Sequence, residues 1–399
     1  MHPADEIRGV KSKKLIKKRI VIAVTGSIAS VETIKLSREL IRHGADVIPI
    51  MTPSATKIIH PDSLWFATGH RPITELTGKT EHVFYCGQIN DPVDLLLICP
   101  CTANTVSKIA NGIDDTVVTT FATTAIGSDI PILIVTAMHL SMYNHKIVQK
   151  NIDKCKKLGI EFIGPNLEKN KARISNINEI VSYVLRKTSK QDLVGKNILI
   201  IGGPTAESID DVRLITNKSS GKTAIELLKE AFYRGANVEL FYGPGKVYPP
   251  DFLKVDKFES INDLQKLMKA RDLKLFDIII VCAAISDYIP KKQKGKIPSG
   301  KEKLIVELTK AQKIISNIRK KAPNSKIIGF KLEDNKDKLR KKAFELLKKN
   351  KLDFVIANTI SGFKKDDKEI WIIDKNGKST YKKGNKSQLA EYILDSILK

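Results

Sequence analysis

The sequence lacks the segments that would place the chain in a membrane. No apolar run reaches about 18 residues, the length that a helix needs to cross a bilayer. Residues 1–18 are polar and basic, without the apolar centre of a secretory signal, and we expect them to form a flexible basic arm. Because 42% of the residues are hydrophobic, the chain can bury a core. These features predict a soluble, cytoplasmic protein without a membrane partner.

Cysteine is scarce, and its spacing gives neither a disulfide framework nor a zinc site. Five cysteines are present, an odd number, and none forms a Cys-x-x-Cys pair. Such pairs are the usual ligands of structural zinc. We therefore expect free thiols, as in a reducing cytosol.

Aromatic residues are also few, at 6%, and no basic run is interleaved with them. Single-stranded nucleic acids bind to platforms of stacked aromatic side chains, so this class of partner is disfavoured. The net charge is nevertheless +24, of which +16 lies after residue 190. A basic chain without stacking residues favours small polyanions, such as phosphorylated substrates, over nucleic acid.

The chain of 399 residues is too long for one core and repeats its opening pattern once. Each half begins with a buried-type strand, residues 19–24 and 196–201, followed by a glycine-containing turn and a helical pattern. The polar residues 186–195 are predicted to be the linker. The pattern predicts an α/β fold with two doubly wound Rossmann-like domains, over residues 19–185 and 196–399.

Neither half has the residues that hold a dinucleotide. Such a site uses Gly-x-Gly-x-x-Gly and an acid at the end of the second strand, which binds the ribose hydroxyls. The first turn is Thr25-Gly26-Ser27, and the second strands run into Met51-Thr52-Pro53 and Gly243-Pro244-Gly245. NAD is therefore disfavoured, whereas a mononucleotide held by its phosphate fits. Lys246 leaves a weaker NADP alternative open.

A long polar loop follows the first strand of the second half. It begins at Gly202-Gly203-Pro204-Thr205 and ends at Asn217-Lys218-Ser219-Ser220-Gly221-Lys222, just before a helical pattern. Loops beyond about 12–15 residues inside compact domains are usually functional or disordered. Glycine amides, a helix N-terminus and a lysine together predict a phosphate site.

These motifs resemble, over almost the whole chain, the bifunctional phosphopantothenoylcysteine decarboxylase/phosphopantothenate–cysteine ligase family of coenzyme A biosynthesis. The matching motifs of the first half include Thr25-Gly26-Ser27, Glu81-His82-Val83, Cys99-Pro100-Cys101-Thr102-Ala103-Asn104-Thr105 and Ala137-Met138.

For the first half, the resemblance implies an FMN-binding decarboxylase domain. It implies that His82 is the active-site imidazole and that Asn104 orients the substrate carboxylate. The residues implied in FMN binding are Gly26, Ser27, Thr52, Thr105 and Met138.

The first half departs from the family pattern at two places. His139 stands where the family usually has asparagine, and residues 164–175, which correspond to a glycine-rich flap, contain no cysteine to act as proton donor. Our hypothesis is that decarboxylation is retained and that His139 takes part of the lost asparagine's role. A non-catalytic flavin-binding regulator is the alternative for this half.

The second half matches the ligase part of the family. Its motifs include Asp210-Asp211-Val212-Arg213, Thr216-Asn217-Lys218, Ala283-Ala284-Ile285-Ser286-Asp287, Lys296-Ile297 and Ile328-Gly329-Phe330. The resemblance implies that CTP activates the phosphopantothenate carboxylate as an acyl-cytidylate, which the cysteine amine then attacks.

The resemblance also implies roles for single residues of the second half. Ala283, Asp287, Lys296 and Phe330 would bind CTP, and Asn217 would hold the acyl-cytidylate. Lys296 and Asn217 are the implied catalytic residues. A divalent cation, Mg²⁺ or Mn²⁺, would be required, with ligands that the sequence does not identify. The glycines that flank Lys296 predict a mobile basic flap.

The resemblance further implies homo-oligomers, trimer-based through the flavin domain and dimeric through the ligase domain. An alternative from another enzyme class is a flavin-dependent reductase fused to an NADP-binding domain.

Overall fold

A computed structural model describes four stretches of the chain, residues 2–168, 171–300, 302–359 and 367–399. The chain forms two compact units, unit 1 (Met1–Lys190) and unit 2 (Gln191–Lys399). Each unit has its own parallel sheet, which confirms the predicted α/β class with two Rossmann-like folds. Residues 169 and 170 of the predicted flap lie outside the described residues.

Unit 1 contains a five-stranded sheet and a small three-stranded sheet. The strands of the main sheet are β1 (Arg19–Val24), β2 (Asp46–Met51), β3 (Leu95–Cys101), β4 (Ile132–Thr136) and β6 (Glu161–Ile163). The strands of the small sheet are β5 (Met138–His139), β7 (Asn166–Glu168) and β8 (Lys171–Arg173). All residues of β3 are buried, as expected for a parallel strand that is covered on both faces.

The main sheet of unit 1 has the strand order β2-β1-β3-β4-β6, and all its neighbours are parallel. This is the flavodoxin-type order, in which the chain reverses direction across the sheet between β1 and β3. Ligands of such sheets bind outside the carboxyl ends of the strands at this switch point.

Helices connect the strands of unit 1. They are α1 (Pro3–Glu6), a 3₁₀ helix (Ile28–Glu32), α2 (Thr33–Arg42), α3 (Pro53–Thr56), α4 (Pro61–Thr68), α5 (Glu81–Cys86), α6 (Ala103–Ala110), α7 (Val117–Gly127), α8 (Leu140–Tyr143), α9 (Lys146–Lys157) and α10 (Ile177–Thr188).

The first residues of the chain are not the predicted flexible arm. Leu15 is fully buried, and its amide donates to the carbonyl oxygen of His43 at 2.9 Å. The amide of Gly9 donates to the carbonyl oxygen of Ile41 at 3.0 Å. The segment therefore packs on the end of α2, and that prediction is wrong. The high net charge of the segment hid the few apolar residues that anchor it.

Unit 2 contains an eight-stranded sheet and two hairpins. The sheet strands are β9 (Asn197–Gly202), β12 (Asn237–Tyr242), β13 (Lys254–Lys257), β14 (Ile278–Val281), β17 (Lys326–Glu333), β18 (Phe354–Thr359), β19 (Asp367–Asp374) and β20 (Ser379–Asn385). The hairpin strands are β10 (Ala206–Ser208) with β11 (Leu214–Thr216), and β15 (Tyr288–Pro290) with β16 (Leu308–Lys310).

The helices of unit 2 follow the same alternation. They are α11 (Lys222–Tyr233), α12 (Ile261–Ala270), a 3₁₀ helix (Leu273–Leu275), α13 (Ile314–Lys321), α14 (Lys336–Asn350) and α15 (Lys386–Leu398).

The sheet of unit 2 has the order β13-β12-β9-β14-β17-β18-β19-β20. Its first six strands are parallel and reproduce the dinucleotide-type order 3-2-1-4-5-6, with the switch point between β9 and β14. The strands β19 and β20 extend the sheet as an antiparallel hairpin. The turn of this hairpin contains Asn376 and Gly377, as the sequence predicts.

The predicted linker, residues 186–195, is largely part of folded structure. Its first residues complete α10, which ends at Thr188. Leu193 is fully buried, and its amide donates to the carbonyl oxygen of Arg234 at 3.0 Å. The buried guanidinium of Arg234 pairs with Asp192 and, at 2.9 Å, with Asp395. Unit 2 therefore includes the last part of this segment.

Candidate active sites

Three helices of unit 1 begin directly after neighbouring strands, each with a capping hydroxyl. Ser27 Oγ accepts the amide of Ala29 at 3.4 Å, and Thr52 Oγ1 accepts that of Ala55 at 3.2 Å. Thr102 does the same for Thr105 at 3.3 Å. Because these strands are parallel, the three helix N-termini lie at one edge of the sheet, and their amides favour an anion there.

The turns after β1 and β3 are joined at the switch point of unit 1. The buried hydroxyl of Thr25 donates to the carbonyl oxygen of Pro100 at 2.7 Å and accepts the amide of Thr102 at 3.1 Å. A side chain at Gly26 would place its Cβ 2.5 Å from Ser54 Cβ. This position therefore requires glycine, because the turn after β1 lies against the start of α3.

A cavity of about 670 Å³ lies beside this switch point. Ser27, Cys99, Met138, His139 and Ser175 contribute to its wall. The Ser175 hydroxyl is buried and has no hydrogen-bond partner among the described residues. A buried polar group without a partner is costly, so this hydroxyl suits a polar atom of a ligand.

The structure brings together only part of the predicted flavin site. Ser27 and Met138 line the cavity, and Gly26 forms the adjoining turn. Thr52 and Thr105 are buried at their helix N-termini and do not belong to the described cavity wall. Their predicted contact with FMN stays a prediction.

His82 and Asn104 also lie outside the described wall of this cavity. His82 is half-buried on α5, and its Nδ1 atom has no hydrogen-bond partner among the described residues. Asn104 is exposed in the first turn of α6. In one chain, neither residue is therefore part of the described wall that contains Ser27 and Met138.

His139 lines the cavity at the start of α8. Its strand β5 pairs with β8 in the predicted flap, His139 opposite Lys171. Cys99, at the end of the buried strand β3, also lines the cavity, and burial raises the pKa of its thiol. Cys155 is buried outside the described wall of this cavity, and burial raises the pKa of its thiol to about 11.

The long loop of unit 2 is folded and returns to the switch point between β9 and β14. Its middle forms the hairpin of β10 and β11. Thr205 Oγ1 accepts the amide of Ser286 at 3.0 Å, and Asn217 Nδ2 donates to the carbonyl oxygen of Ala284 at 2.8 Å. The loop after β9 is therefore attached to the loop after β14.

A cavity of about 260 Å³ lies between this loop and the strand ends. Its wall includes Ala283, Phe330 and Asn358 together with residues 218–224. Gly221 caps α11 with a φ of +75°, and a Cβ there would lie 2.0 Å from Tyr242 Oη. Only glycine fits this position without displacement of the tyrosine.

Four lysines from three parts of unit 2 contribute to the wall of this cavity: Lys218, Lys222, Lys368 and Lys386. Lys222 is also the first residue of α11, whose N-terminus adds positive potential. Burial lowers the pKa of Lys368, so a bound anion would favour its charged form. The cavity suits a phosphate group.

The predicted ligase residues are divided between this cavity and its surroundings. Ala283 and Phe330 line it, and Asn217 is attached to its wall through Ala284. Asp287 and Lys296 lie outside its described wall: Asp287 pairs with Lys313, and Lys296 is exposed.

Lys368 and Lys386 line the site although no sequence motif indicates them. They lie on β19 and α15, far along the chain from the loop that they face. Nothing distinguishes them in a lysine-rich sequence, and only the antiparallel extension of the sheet brings them to this edge. Lys301, which the sequence places near Lys296, lies outside the described residues.

No group of three or more His, Cys, Asp and Glu residues with the geometry of a metal site occurs among the described residues. In the same part of the chain, every helix is too short or too polar to cross a membrane.

Comparison with known proteins identifies the family of both units. The model of the Flavoprotein family matches residues 9–189, and that of the DNA/pantothenate metabolism flavoprotein C-terminal domain matches residues 193–399. The coenzyme A biosynthesis bifunctional protein CoaBC of Thermococcus kodakarensis is 42% identical, covering 100% of this chain and 99% of its own. The protein of the same name from Methanocaldococcus jannaschii is 40% identical over 100% of this chain and 98% of its own.

Solved structures are also similar. The DNA/pantothenate metabolism flavoprotein from Streptococcus pneumoniae is 28% identical, covers 51% of this chain and 99% of its own, and has a TM-score of 0.47. The two family models together with the full-length relatives decide the assignment. The chain therefore belongs to the family of the coenzyme A biosynthesis bifunctional proteins.

Proposed function

We propose that unit 2 joins 4'-phosphopantothenate to cysteine at the expense of CTP. The observation that carries this proposal is the lysine-lined cavity at the β9/β14 switch point, whose wall contains Ala283 and Phe330 and is attached to Asn217. Its size and charge suit a phosphorylated substrate rather than a dinucleotide. The names of the relatives, which are coenzyme A biosynthesis proteins, supply the substrate class.

The chemistry explains why such a site needs a further lysine. A carboxylate is a poor electrophile, and CTP activates it by forming an acyl-cytidylate with loss of pyrophosphate. Negative charge on the transferring phosphoryl group requires a cation fixed nearby, and Lys296 is the residue that we assign to this role. Asn217 would hold the acyl-cytidylate while the cysteine amine attacks it.

A divalent cation is the remaining requirement of this reaction. The described residues contain no cage of three acidic or thiol ligands, so a resident metal does not fit the protein alone. Mg²⁺ commonly binds through substrate phosphates, one or two carboxylates and water. We infer that Mg²⁺ or Mn²⁺ would enter with CTP.

For unit 1, we propose decarboxylation of 4'-phosphopantothenoylcysteine with FMN as the cofactor. The capped helix N-termini beside the cavity suit the FMN phosphate, and Ser27 is the hydroxyl best placed to bind it. Met138 would form an apolar wall, and the unpaired Ser175 hydroxyl offers a hydrogen bond to a polar ring atom. When bound, FMN supplies the two-electron oxidation of the cysteinyl thiol and later returns the electrons.

We propose that His82 and Asn104 act across a subunit boundary. Both lie outside the cavity wall of their own chain. Next to His82 on α5, Val83 and Phe84 are 41% and 57% exposed, which is typical of a surface that another subunit covers. A trimer-based assembly would bring His82 to a neighbouring cavity, where its imidazole could move a proton at neutral pH. A dimer through unit 2 is the corresponding proposal for the ligase.

The cysteines are free thiols, and four of the five are buried. This is compatible with a reducing compartment, and we infer a cytoplasmic location.

The test of both activities is a coupled assay on the full-length protein. With 4'-phosphopantothenate, cysteine and FMN present, we expect CTP to give pyrophosphate, followed by CO₂ release; ATP in place of CTP tests the nucleotide assignment. Absence of pyrophosphate release with either nucleotide would contradict the ligase proposal and favour the reductase fused to an NADP-binding domain.

A separate assay with preformed 4'-phosphopantothenoylcysteine isolates unit 1. We expect CO₂ release that is slower in a His139→Ala variant, because this histidine faces the cavity. Flavin binding without CO₂ release would indicate the non-catalytic regulator instead. If the His139→Ala variant released CO₂ as fast as the parent, this would contradict the role of His139 but not the decarboxylase proposal.

A further inference from the structure

Two consecutive carboxylates hold the backbone on both sides of Lys296. This lysine lies in the loop of residues 291–300, and it is exposed, whereas Ile297 is buried. The carboxylates belong to Asp210 and Asp211, in the turn that joins β10 to β11. Among the described residues, this turn makes no hydrogen bond to the Lys296 side chain. It binds the backbone of the two neighbouring residues, Gly295 and Ile297.

Asp210 holds the residue that follows Lys296. Its carboxylate is buried and accepts the amide of Ile297 at 3.0 Å and Arg213 Nη1 at 2.7 Å. The same Nη1 atom donates to the carbonyl oxygen of Ile297 at 3.1 Å. Asp210 also accepts the amides of Val212 at 2.8 Å and Arg213 at 2.6 Å, which fixes its own position. Both backbone polar groups of Ile297 are therefore bound.

Asp211 holds the residue that precedes Lys296. Its Oδ2 atom accepts the amide of Gly295 at 2.8 Å, and its own amide donates to the carbonyl oxygen of Gly295 at 3.3 Å. Its Oδ1 atom pairs with Lys292 Nζ at 2.8 Å. One step farther along the loop, the amide of Gln293 donates to the carbonyl oxygen of Ile209 at 2.9 Å. The backbone of the loop is thus bound to the turn at three alternate residues, Gln293, Gly295 and Ile297.

Both carboxylates have the charge that these contacts require. Burial alone would raise the pKa of Asp210, but the amides of Ile297, Val212 and Arg213 and the Arg213 guanidinium hold it well below its usual range. Lys292 and the amide of Gly295 lower the pKa of Asp211. Hydrogen bonds to an ionised carboxylate are roughly twice as strong as those between neutral groups.

We infer that Asp210 and Asp211 are positioning residues that present Lys296 to the ligase site. They fix the peptide groups on either side of the lysine and leave its side chain exposed. The catalytic part of this inference rests on the proposed ligase function, whereas the loop geometry does not. Because β11 leads into Asn217, the same turn also links Lys296 to the loop that would hold the acyl-cytidylate.

The first experiment measures the loop itself. Hydrogen exchange of the full-length protein, followed by mass spectrometry, reports on the amides of residues 291–300 without any substrate. We expect at least tenfold faster exchange in this segment for Asp210→Asn and, to a smaller extent, for Asp211→Asn, whose side chain is half-exposed. Unchanged exchange in a folded Asp210→Asn protein would overturn the inference. If Asp210→Asn does not fold, Asp211→Asn decides it in the same way.

Asp277→Asn is the matched control. Asp277 also accepts a backbone amide, from Asn197 at 2.8 Å, and pairs with a lysine, Lys196, at 3.2 Å. It precedes β14 and therefore lies at the amino ends of the strands, at the edge of the sheet opposite the switch-point loops. We expect this variant to leave exchange in residues 291–300 unchanged. Faster exchange there would mean that the loop reports on general destabilisation, and would overturn the assignment.

The second experiment is a double-mutant cycle on pyrophosphate release. We expect Asp210→Asn to lower kcat at least tenfold, and the double variant with Lys296→Gln to be no slower than Lys296→Gln alone. Rate losses that multiply would mean that Asp210 acts independently of Lys296 and would overturn the inference. If the parent protein releases no pyrophosphate, the proposed function fails, and the exchange experiment alone decides the loop geometry.

Discussion

Units 1 and 2 open with the same local pattern, yet they build different sites from it. In unit 1 the turn after β1 is short, and a 3₁₀ helix begins at Ile28. In unit 2 the connection from β9 to α11 contains the hairpin of β10 and β11. The strand orders differ as well. In unit 1 the third strand of the main sheet, β3, lies beside the first strand. In unit 2 the third strand, β13, lies at the sheet edge, and the fourth, β14, lies beside the first.

This difference separates two ways of holding a phosphorylated ligand. Unit 1 has a roomy cavity of about 670 Å³ with capped helix N-termini beside it, whereas unit 2 has a smaller one of about 260 Å³ with four lysines in its wall. The first suits a bound cofactor that stays in place. The second suits a substrate that is exchanged at every turnover and is held mainly by charge.

The largest effect is expected from Gly221→Ala in unit 2. The new Cβ would meet Tyr242 Oη at 2.0 Å, at a residue whose φ is +75°. We expect ligase kcat/KM to fall about 100-fold, which corresponds to about 2.7 kcal/mol of activation free energy. The reason is that the new side chain overpacks the site at a residue with an unfavourable φ. Gly195→Ala is the control, since its φ is +76° but no atom lies within 4 Å of the new Cβ. Decarboxylation should be unchanged in both variants, and its loss would contradict the separation of the two sites.

Lys296→Gln is expected to lower ligase turnover at least tenfold, which corresponds to about 1.4 kcal/mol of transition-state stabilisation. The variant removes the positive charge that we expect to stabilise the transferring phosphoryl group. Pyrophosphate release at saturating CTP measures the effect, and exposed Lys274, on the 3₁₀ helix of unit 2, provides the Lys→Gln control. Unchanged turnover in Lys296→Gln would count against the assignment of this lysine.

Gly26→Ala tests unit 1 in the corresponding position. Its Cβ would lie 2.5 Å from Ser54 Cβ, so the turn after β1 must move away from α3. We expect FMN to bind about tenfold more weakly, because overpacking of this turn should cost about 1.4 kcal/mol of binding free energy. Flavin fluorescence measures the affinity. Gly78→Ala has open space around its Cβ and should bind FMN like the parent. Equal affinity in all three proteins would show that this turn does not contact the cofactor.

The smallest effect is expected from Lys368→Met. Loss of one of four lysines should raise KM for 4'-phosphopantothenate roughly fivefold, or about 1 kcal/mol. Burial lowers the pKa of Lys368, so the parent should lose affinity as the pH rises through a value below that of an ordinary lysine. The variant should lack this part of the pH profile. Lys375→Met, in the turn of the same hairpin, is the control and should keep the pH profile of the parent. A Lys368→Met profile identical to that of the parent would contradict the assignment of Lys368 to the phosphate site.

The sheets were predictable because parallel strands buried on both faces require continuous apolar runs. Such runs stand out at β1, β3, β9 and β14, and the glycine turns after β1 and β9 indicated where ligands bind. The packed first residues were not predictable from charge, since buried Ala4 and Leu15 and hydrogen bonds to the end of α2 anchor that segment. The hydrogen bonds of Asp210 to Ile297 also lay beyond the sequence, because an aspartate in a polar loop has no pattern that names its partner.

By itself, the sequence determined the fold class, the two-unit organisation and the position of the phosphate-type loops, since local hydrophobic periodicity and turn chemistry specify them. It also identified the family through its motifs. Only the tertiary structure decided which side chains share a site. The antiparallel extension of the unit 2 sheet brings Lys368 into the same cavity wall as Lys222, and the strand order of unit 1 leaves His82 outside the wall that contains Ser27. Both outcomes depend on how the chain crosses from strand to strand and not on distance along it.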